Sequence, residues 1–233
     1  MCACAAGHDQ PMDLLSFIAD QRCVVCGLRG YLLCGECRSA LPWLQAPLCA
    51  RCGDPRPAAR IACPACTQLS HAVGTVRAAL VLEGAGQALV RGWKDSARYP
   101  IAALAAVCVV AAVPRPSVDA LVAVPAARDR AAWRGVDGPR DLAMRLGRVW
   151  DLPLITDVLE RVGDRPQRGL RAEARRRNAN ASFVARESVV GRVLLVDDVM
   201  TTGATIRTCA GLLRGAGAER VDAVTLARVV IGP

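Results

Sequence analysis

Lysine is almost absent from this 233-residue chain: of 30 basic residues, 29 are arginine and one, Lys94, is lysine. Such a bias, alongside abundant alanine, is what a skewed genomic base composition produces. Total arginine therefore says little, and the one lysine draws notice. Aromatic residues make up only 3% of the chain, with Phe17, Tyr31, Trp43, Trp93, Tyr99, Trp133, Trp150 and Phe183 the whole supply. That excludes a ring-built core and leaves few platforms on which unpaired bases could stack. The core must come from Ala, Val and Leu, and an apolar fraction of 53% supplies enough of them. Long apolar runs are also lacking. The longest, Ile101 to Val113, has 13 residues, short of the roughly 20 that cross a bilayer, and it reads as a buried Ala-rich helix packed against a sheet. The N-terminal MCACAAGHDQPMDLL has no basic start followed by a sustained apolar core. No membrane span or secretory signal is expected, and a cytoplasmic location is.

Cysteine, by contrast, is plentiful, with 12 residues. In a cytosolic chain that number points to metal rather than disulfides. Eight of them form four Cys-x-x-Cys pairs: Cys23/Cys26, Cys34/Cys37, Cys49/Cys52 and Cys63/Cys66. Two intervening residues let both thiolates reach one ion, and two such knuckles complete a tetrahedral S₄ site for structural Zn²⁺ with no open position for catalysis. Consecutive pairing closes smaller loops and costs less entropy. An interleaved cross-brace is the alternative, and the zinc count is one or two. Zinc here replaces a core too small to fold alone. Cys108 and Cys209 lie in apolar helical patterns and read as core residues.

The rest of the chain is organised around Val193 to Ile206, VLLVDDVMTTGATI. Four apolar residues read as a buried strand. The acids Asp197 and Asp198 follow, costly to bury without partners and suited to sugar hydroxyls or hydrated Mg²⁺. The loop Thr201, Thr202, Gly203, Ala204, Thr205 then opens a helix, where unpaired amides and the helix dipole favour a phosphate. Diol and phosphate sites on one strand–loop–helix unit imply a phosphorylated sugar.

Further strands are expected near residues 77–82, 118–125, 155–161, 192–198 and 221–230. Helices are expected over Ala85 to Lys94, about 139–150, and Gly203 to Arg214. The alternation predicts a parallel α/β sheet. The strand ending at Pro125 releases Ala126, Ala127, Arg128, Asp129 and Arg130 at its carboxyl end, where ligands of open α/β sheets sit. Lys94 or Arg98 could take a phosphate. The segment Arg161 to Arg177 holds seven arginines against Asp164 and Glu173, a local charge of +5. It suits a lid over a phosphorylated substrate or a nucleic-acid contact, and the net charge of +9 agrees with a polyanionic ligand or partner.

The stretch VLLVDDVMTTGATI closely resembles the PRPP-binding motif of type I phosphoribosyltransferases. That resemblance implies that Asp197 and Asp198 hold the ribose hydroxyls and the metal, that Thr201 to Thr205 wrap the 5-phosphate, and that Ala126, Ala127 and Arg128 hold pyrophosphate. The four cysteine pairs, the α/β body and this motif together resemble the ComF family of competence-related proteins. VPAARDRAAWRG, which includes Arg134, matches that family's Val-Pro strand and Arg-Gly loop. RPQRGLRAEARRRNANASF resembles its basic segment, with Gln167, Leu170, Arg176, Asn178 and Phe183 in the expected places, and GWK places Lys94 where the family has a similar lysine. Arg134-Gly135-Val136-Asp137-Gly138 departs from the family's common Arg-Gly-Phe-Asn-Gln. Lys94, Arg134 and Arg176 are the further phosphate or nucleic-acid candidates.

The resemblance implies a type I phosphoribosyltransferase-like parallel sheet with helices on both faces, preceded by a small zinc module. The expected division is a leader (1–20), a cysteine-rich zinc module (21–70) and a phosphoribosyltransferase-like domain (71–233). The expected activity is PRPP- and Mg²⁺-dependent phosphoribosyl transfer with pyrophosphate release, linked to competence or nucleotide metabolism. The alternative is a non-catalytic adaptor in DNA uptake, binding single-stranded DNA or a helicase partner with PRPP as regulator.

Overall fold

The computed structural model describes residues 21–55, 63–67, 69–95, 99–126, 137–162 and 183–230. The expected leader, Arg98, and the basic segment beyond Val162 lie outside the described residues. The chain divides into two compact units, Met1–Ala40 and Leu41–Pro233, so the boundary falls between the two cysteine quartets. In the first unit, Cys23, Cys34 and Cys37 are buried together with only Val25 and Leu33 against them. Helix α1 (Gly35–Ser39) is a single short turn beside them. So small an apolar cluster needs a cross-link or a metal to hold its shape.

The second unit is built on a five-stranded sheet. Helix α2 (Pro64–Thr67) precedes β1 (Val76–Val81), α3 (Gly84–Asp95), α4 (Tyr99–Ala112), β2 (Ala120–Ala123), α5 (Gly138–Trp150) and β3 (Leu154–Ile155). Then come β4 (Leu159–Arg161), β5 (Phe183–Ala185), β6 (Arg192–Met200), α6 (Ala204–Gly215) and β7 (Arg220–Arg228). The sheet order is β1-β7-β6-β2-β3, with every neighbouring pair parallel. Central strand β6 is buried on both faces, which is why Val193 to Val196 reads as an unbroken apolar run.

Alternation divides that run between two helical layers. Val193 and Leu195 share a core with Val221 and Ala223 of β7 and with Ile206, Cys209, Ala210 and Leu213 of α6. On the other face Leu194 lies beside Leu121, where Gly147 brings α5 so close that an added Cβ would sit 3.4 Å from the Leu121 side chain. Helix α4 packs on α5 and on β1 and β7. Cys108 and Cys209 are both buried.

Helix α5 shows how local sequence sets a boundary. The Asp137 side chain accepts a hydrogen bond from the Arg140 amide at 3.2 Å, and Pro139 stands in the first turn. At the other end Asp151 adopts a left-handed conformation and the Leu152 amide returns to the Gly147 carbonyl. The Asp137-Gly138 departure from the family pattern thus supplies an N-cap.

One expected strand is not formed as read. Residues 155–161 split at Asp157, whose φ is +65°, a reversal that an unbroken strand cannot contain. Leu154–Ile155 stays in the main sheet beside β2, while Leu159–Arg161 pairs antiparallel with β5 in a separate two-stranded sheet. The polar pair Thr156-Asp157 marks the break between the apolar residues Leu154–Ile155 and Val158–Leu159. Strand β6 also runs two residues beyond the expected 198, because Val199 and Met200 keep their register with Ala227 and Arg228.

The second cysteine quartet is built into this unit. An antiparallel bridge joins Trp43 to Leu80, and the Leu44 amide donates to the Ala79 carbonyl at 3.0 Å, covering the free edge of β1. Farther along, the Val76 amide donates to the Arg51 carbonyl at 2.8 Å. Gly53, with φ +69°, is forced here, since a Cβ would lie 2.8 Å from the Val76 carbonyl oxygen. Across this junction runs a fully buried ion pair. Arg228 Nη2 lies 2.6 Å from Asp54 Oδ1, with the side chains 1% and 0% exposed, and Arg228 Nη1 also donates to the Cys52 carbonyl. Removing one partner strands a buried charge, at a cost of about 3–5 kcal/mol. Urea unfolding of Arg228→Leu is expected to show a loss of that size. The double variant Arg228→Leu/Asp54→Leu is expected to recover part of it, and equal losses in the two variants would contradict the coupling.

Candidate functional site

At the carboxyl end of β6 the chain turns from apolar to acidic within the strand. Asp197 is 7% exposed, and its Oδ1 accepts the Asp198 amide at 2.8 Å. Burial first, and then the negative charge of Asp198, push the Asp197 carboxyl well above the usual carboxylate range, with the Asp198 amide and Lys94 opposing. The same arrangement is felt on α6. Burial raises the Cys209 thiol, Asp197 raises it further, and Arg161 opposes both. Arg161 lies with its guanidinium 5.3 Å from the centroid of Phe183, and the β4–β5 ribbon packs against α6.

Asp198 has a different partner. Lys94 Nζ lies 3.0 Å from Asp198 Oδ2, with the lysine side chain 45% and the aspartate side chain 20% exposed. The chain's one lysine is held there by the end of α3, where Trp93 is buried and meets the start of α5 at Gly138. This brings together Asp197, Asp198 and Lys94 from distant parts of the sequence. Lys94 was expected at a phosphate, and here it neutralises Asp198.

The phosphate-loop candidates follow directly. Thr201 and Thr202 are exposed and Gly203 is buried. Gly203 is the N-cap of α6 at φ +73°, and no side chain caps the helix. The nearest side-chain contact is weak, with Thr202 Oγ1 3.4 Å from the Ala204 amide. No acid stands in the first turn, so the positive end of the dipole is not neutralised from within. Ala204 and Thr205 are half-buried.

Next door, Ala123 is paired with Val196 and the Val124 amide donates to the Val196 carbonyl at 2.9 Å. The chain after β2 therefore starts beside the acids. The backbone at Ala126 lies against the Asp137 carboxyl, which burial raises and the Arg140 and Ala126 amides lower. Ala127, Arg128, Arg134 and Arg176 lie outside the described residues. Asp137 serves here as the N-cap of α5. Its signal was an Asp immediately before Gly-Pro at a helix start.

A cavity of about 440 Å³ exists elsewhere, lined by Arg77, Arg115, Arg192 and Arg220 among others. Since Arg192 and Arg220 open β6 and β7, it lies at the amino ends of the strands, away from the acids. Its size does not mark the site.

The cysteines group consecutively. In Cys23/Cys26/Cys34/Cys37 and in Cys49/Cys52/Cys63/Cys66, all sulfurs lie within 4.8 Å of one another. Cys26 and Cys34 are 3.7 Å apart, Cys49 and Cys66 3.6 Å, and Cys52 and Cys63 3.4 Å. A tetrahedron with Zn–S bonds of about 2.3 Å needs sulfur separations of about 3.8 Å, so both quartets fit structural zinc. Burial raises the Cys23 and Cys49 thiols, but backbone amides aimed at the sulfurs outweigh it and bring each to about 6. Amides aimed at sulfur favour the thiolate, the form that binds metal.

Comparison with known proteins agrees with this division of labour. Residues 14–67 match the family described as double zinc ribbon domain, and residues 152–231 match the phosphoribosyl transferase domain. The chain is 36% identical over 115 residues to Competence protein F of Haemophilus influenzae, a stretch that covers 47% of this chain and 50% of that protein. The chain thus spans about half the length of that relative. Among solved structures, it is similar to the glutamine phosphoribosylpyrophosphate amidotransferase of B. subtilis complexed with ADP and GMP. That likeness has 21% identity and a TM-score of 0.36, over 55% of this chain and 26% of the other. It is also similar to a purine phosphoribosyltransferase from Pyrococcus horikoshii, with 19% identity and a TM-score of 0.37, over 56% of this chain and 77% of the other. Together with the two cysteine quartets and the parallel sheet, the two domain matches and the Haemophilus relative support a ComF-type protein, a double zinc ribbon followed by a phosphoribosyl transferase domain.

Proposed function

We propose that the protein binds PRPP together with Mg²⁺ at the carboxyl end of β6 and transfers its phosphoribosyl group with release of pyrophosphate. The observation that carries this reading is the juxtaposition of a buried and a half-buried carboxylate, Asp197 and Asp198, with an uncapped Thr/Gly loop on the same strand–loop–helix unit. Ribose hydroxyls would donate to the two carboxylates, and the 5-phosphate would accept from amides of Thr201 to Thr205. Mg²⁺, held by the same acids and by the substrate, would supply charge neutralisation for the departing pyrophosphate.

Every other contribution comes from the chain. The negative field of Asp197 and Asp198 would favour positive charge developing on the ribose ring. Lys94 is bonded to Asp198 before substrate arrives and would turn to a phosphate as hydroxyls replace it. Ala126, Ala127 and Arg128 would take pyrophosphate. Transfer breaks the bond from the anomeric carbon to the pyrophosphate oxygen, whose electron pair leaves with pyrophosphate, and forms a bond to the acceptor. A role in competence rests on the name of the relative, and one in nucleotide metabolism on the phosphoribosyl transferase domain match. No described helix is long and apolar enough to cross a membrane.

A second reading, contact with single-stranded DNA, is favoured by the net charge of +9. With so few aromatic residues, the contact would be with phosphates and therefore salt-dependent. Binding that is negligible at low salt would remove it.

Calorimetric titration with PRPP and Mg²⁺ tests the main reading. Asp198→Asn is expected to weaken binding by about 10- to 100-fold, the worth of one charge-assisted hydrogen bond, and unchanged affinity would overturn the assignment. Asp197 is raised in the free protein, and a cation beside it lowers it again. Binding should then release a proton, and affinity should rise with pH until the free carboxyl is ionised. Titrations in two buffers of different ionisation enthalpy read that proton directly, and Asp197→Asn should abolish it. The free fold favours the protonated form, so this carboxyl's contribution to stability is lost as pH rises through its raised value. Asp197→Asn is accordingly expected to stabilise the free protein by about 1 kcal/mol in urea unfolding while weakening PRPP. Metal analysis of the same samples should find two zinc ions per chain.

A further inference from the structure

We propose that the second cysteine quartet positions the phosphate loop, so that metal held by Cys49, Cys52, Cys63 and Cys66 sets how well residues 201–205 bind a phosphate. This rests on reading 201–205 as a phosphate loop and adds what controls it.

Two short straps run from the quartet to the loop. The first leaves Cys66. The Leu69 amide donates to the Cys66 carbonyl at 3.1 Å, and the Leu69 side chain is buried at 6% exposure. It presses on the loop's pivot, since a Cβ placed on Gly203 would lie 3.1 Å from Leu69 Cδ2 and 3.9 Å from the Met200 thioether. Leu69, Ala65 and Cys52 share one buried cluster with Met200 and Ile206, the residues on either side of the loop. Gly203 is at φ +73°, where only glycine sits without strain. The pivot therefore carries no side chain of its own, and Leu69 and Met200 are the side chains that back it.

The second strap leaves Cys52. The Cys52 carbonyl and the Asp54 carboxylate receive the buried Arg228 guanidinium. Arg228 is paired in register with Met200, and the Val229 amide donates to the Met200 carbonyl at 2.9 Å. Met200 is the last strand residue before the loop. Stem and pivot are thus each backed by backbone whose course is set within three residues of a cysteine. Thiolates without a metal repel and cannot fix that course, whereas a tetrahedral ion does. Leu69 and Arg228 act through the loop and are positioning residues.

The test uses the full zinc-loaded chain, hydrogen exchange over the described residues, and calorimetry with PRPP and Mg²⁺. Leu69→Ala leaves every cysteine in place. It is expected to speed exchange of the 201–206 amides and to weaken PRPP, each by about tenfold. Exchange in the central residues of β6 and β7 should be unchanged, and Leu69→Met should restore both properties. Emptying the second quartet with Cys63→Ser/Cys66→Ser should act in the same direction and further, whereas Cys34→Ser/Cys37→Ser in the first quartet should not. Unchanged loop exchange in Leu69→Ala would overturn the proposal. So would uniform acceleration across all strands, which a merely stabilising contact would give, or an equal effect from the first quartet. If the wild-type zinc-loaded protein fails to bind PRPP, the phosphate reading fails on its own, and the exchange comparison still decides whether the quartet holds the loop.

Discussion

The buried contact between Arg228 and Asp54 is the constraint on which the larger unit depends. A guanidinium at 1% exposure survives only when its charge and its N–H groups are answered, and here they are answered by Asp54 and by the Cys52 carbonyl. The donor closes β7 and the acceptors lie within a metal knuckle. The end of β7 and the cysteine segment therefore stabilise each other through this contact. This specific contact adds to the apolar burial that Cys52, Ala65 and Leu69 share with the body of the unit.

The site inherits its character from the same end of the sheet. Parallel strands point their carboxyl ends one way, so the acids of β6, the chain leaving β2 and the amide end of α6 converge without any long loop having to fold back. Asp197 and Asp198 are adjacent in sequence but meet different surroundings. Alternation along the strand sends one toward α6 and Cys209 and the other toward α3 and Lys94. One carboxyl is consequently buried and raised, and the other is partly exposed and paired with a lysine. A pair of acids in such unlike settings can serve hydroxyls and a metal without sharing one role.

The zinc quartets differ in what they have to do. In the first unit the thiols gather around almost no other apolar matter, and metal there stands in for a core. In the second, Cys52 belongs to the principal core, and the knuckle is one wall of the unit that carries the acids. A composition boundary near residue 70, where cysteines give way to alternating apolar residues, does not coincide with the compact-unit boundary at Ala40–Leu41. Composition reports what holds a segment together, whereas compactness reports what it touches.

Much of the fold was legible because its signals are local. Apolar period, Gly at the helix ends and the Asp-Asp-to-Thr-Gly transition place β6, α6 and β7 within a few residues, and two-residue cysteine spacing identifies the eight ligands, whereas their grouping into consecutive quartets came from the structure. The turn at Asp157 was passed over because a two-residue polar interruption, Thr156-Asp157, also fits the exposed positions of a strand, and the β4–β5 ribbon needs a strand 22 residues downstream of Arg161. The sequence by itself determined the chemistry available: eight thiolates, two adjacent carboxylates, a small hydroxylated loop and a lone lysine. Only the tertiary structure decided which of these meet. It set Lys94 on Asp198, Arg228 on Asp54 and Leu69 on Gly203, because these pairings lie 104, 174 and 134 residues apart and depend on strand order and burial, which no local pattern encodes.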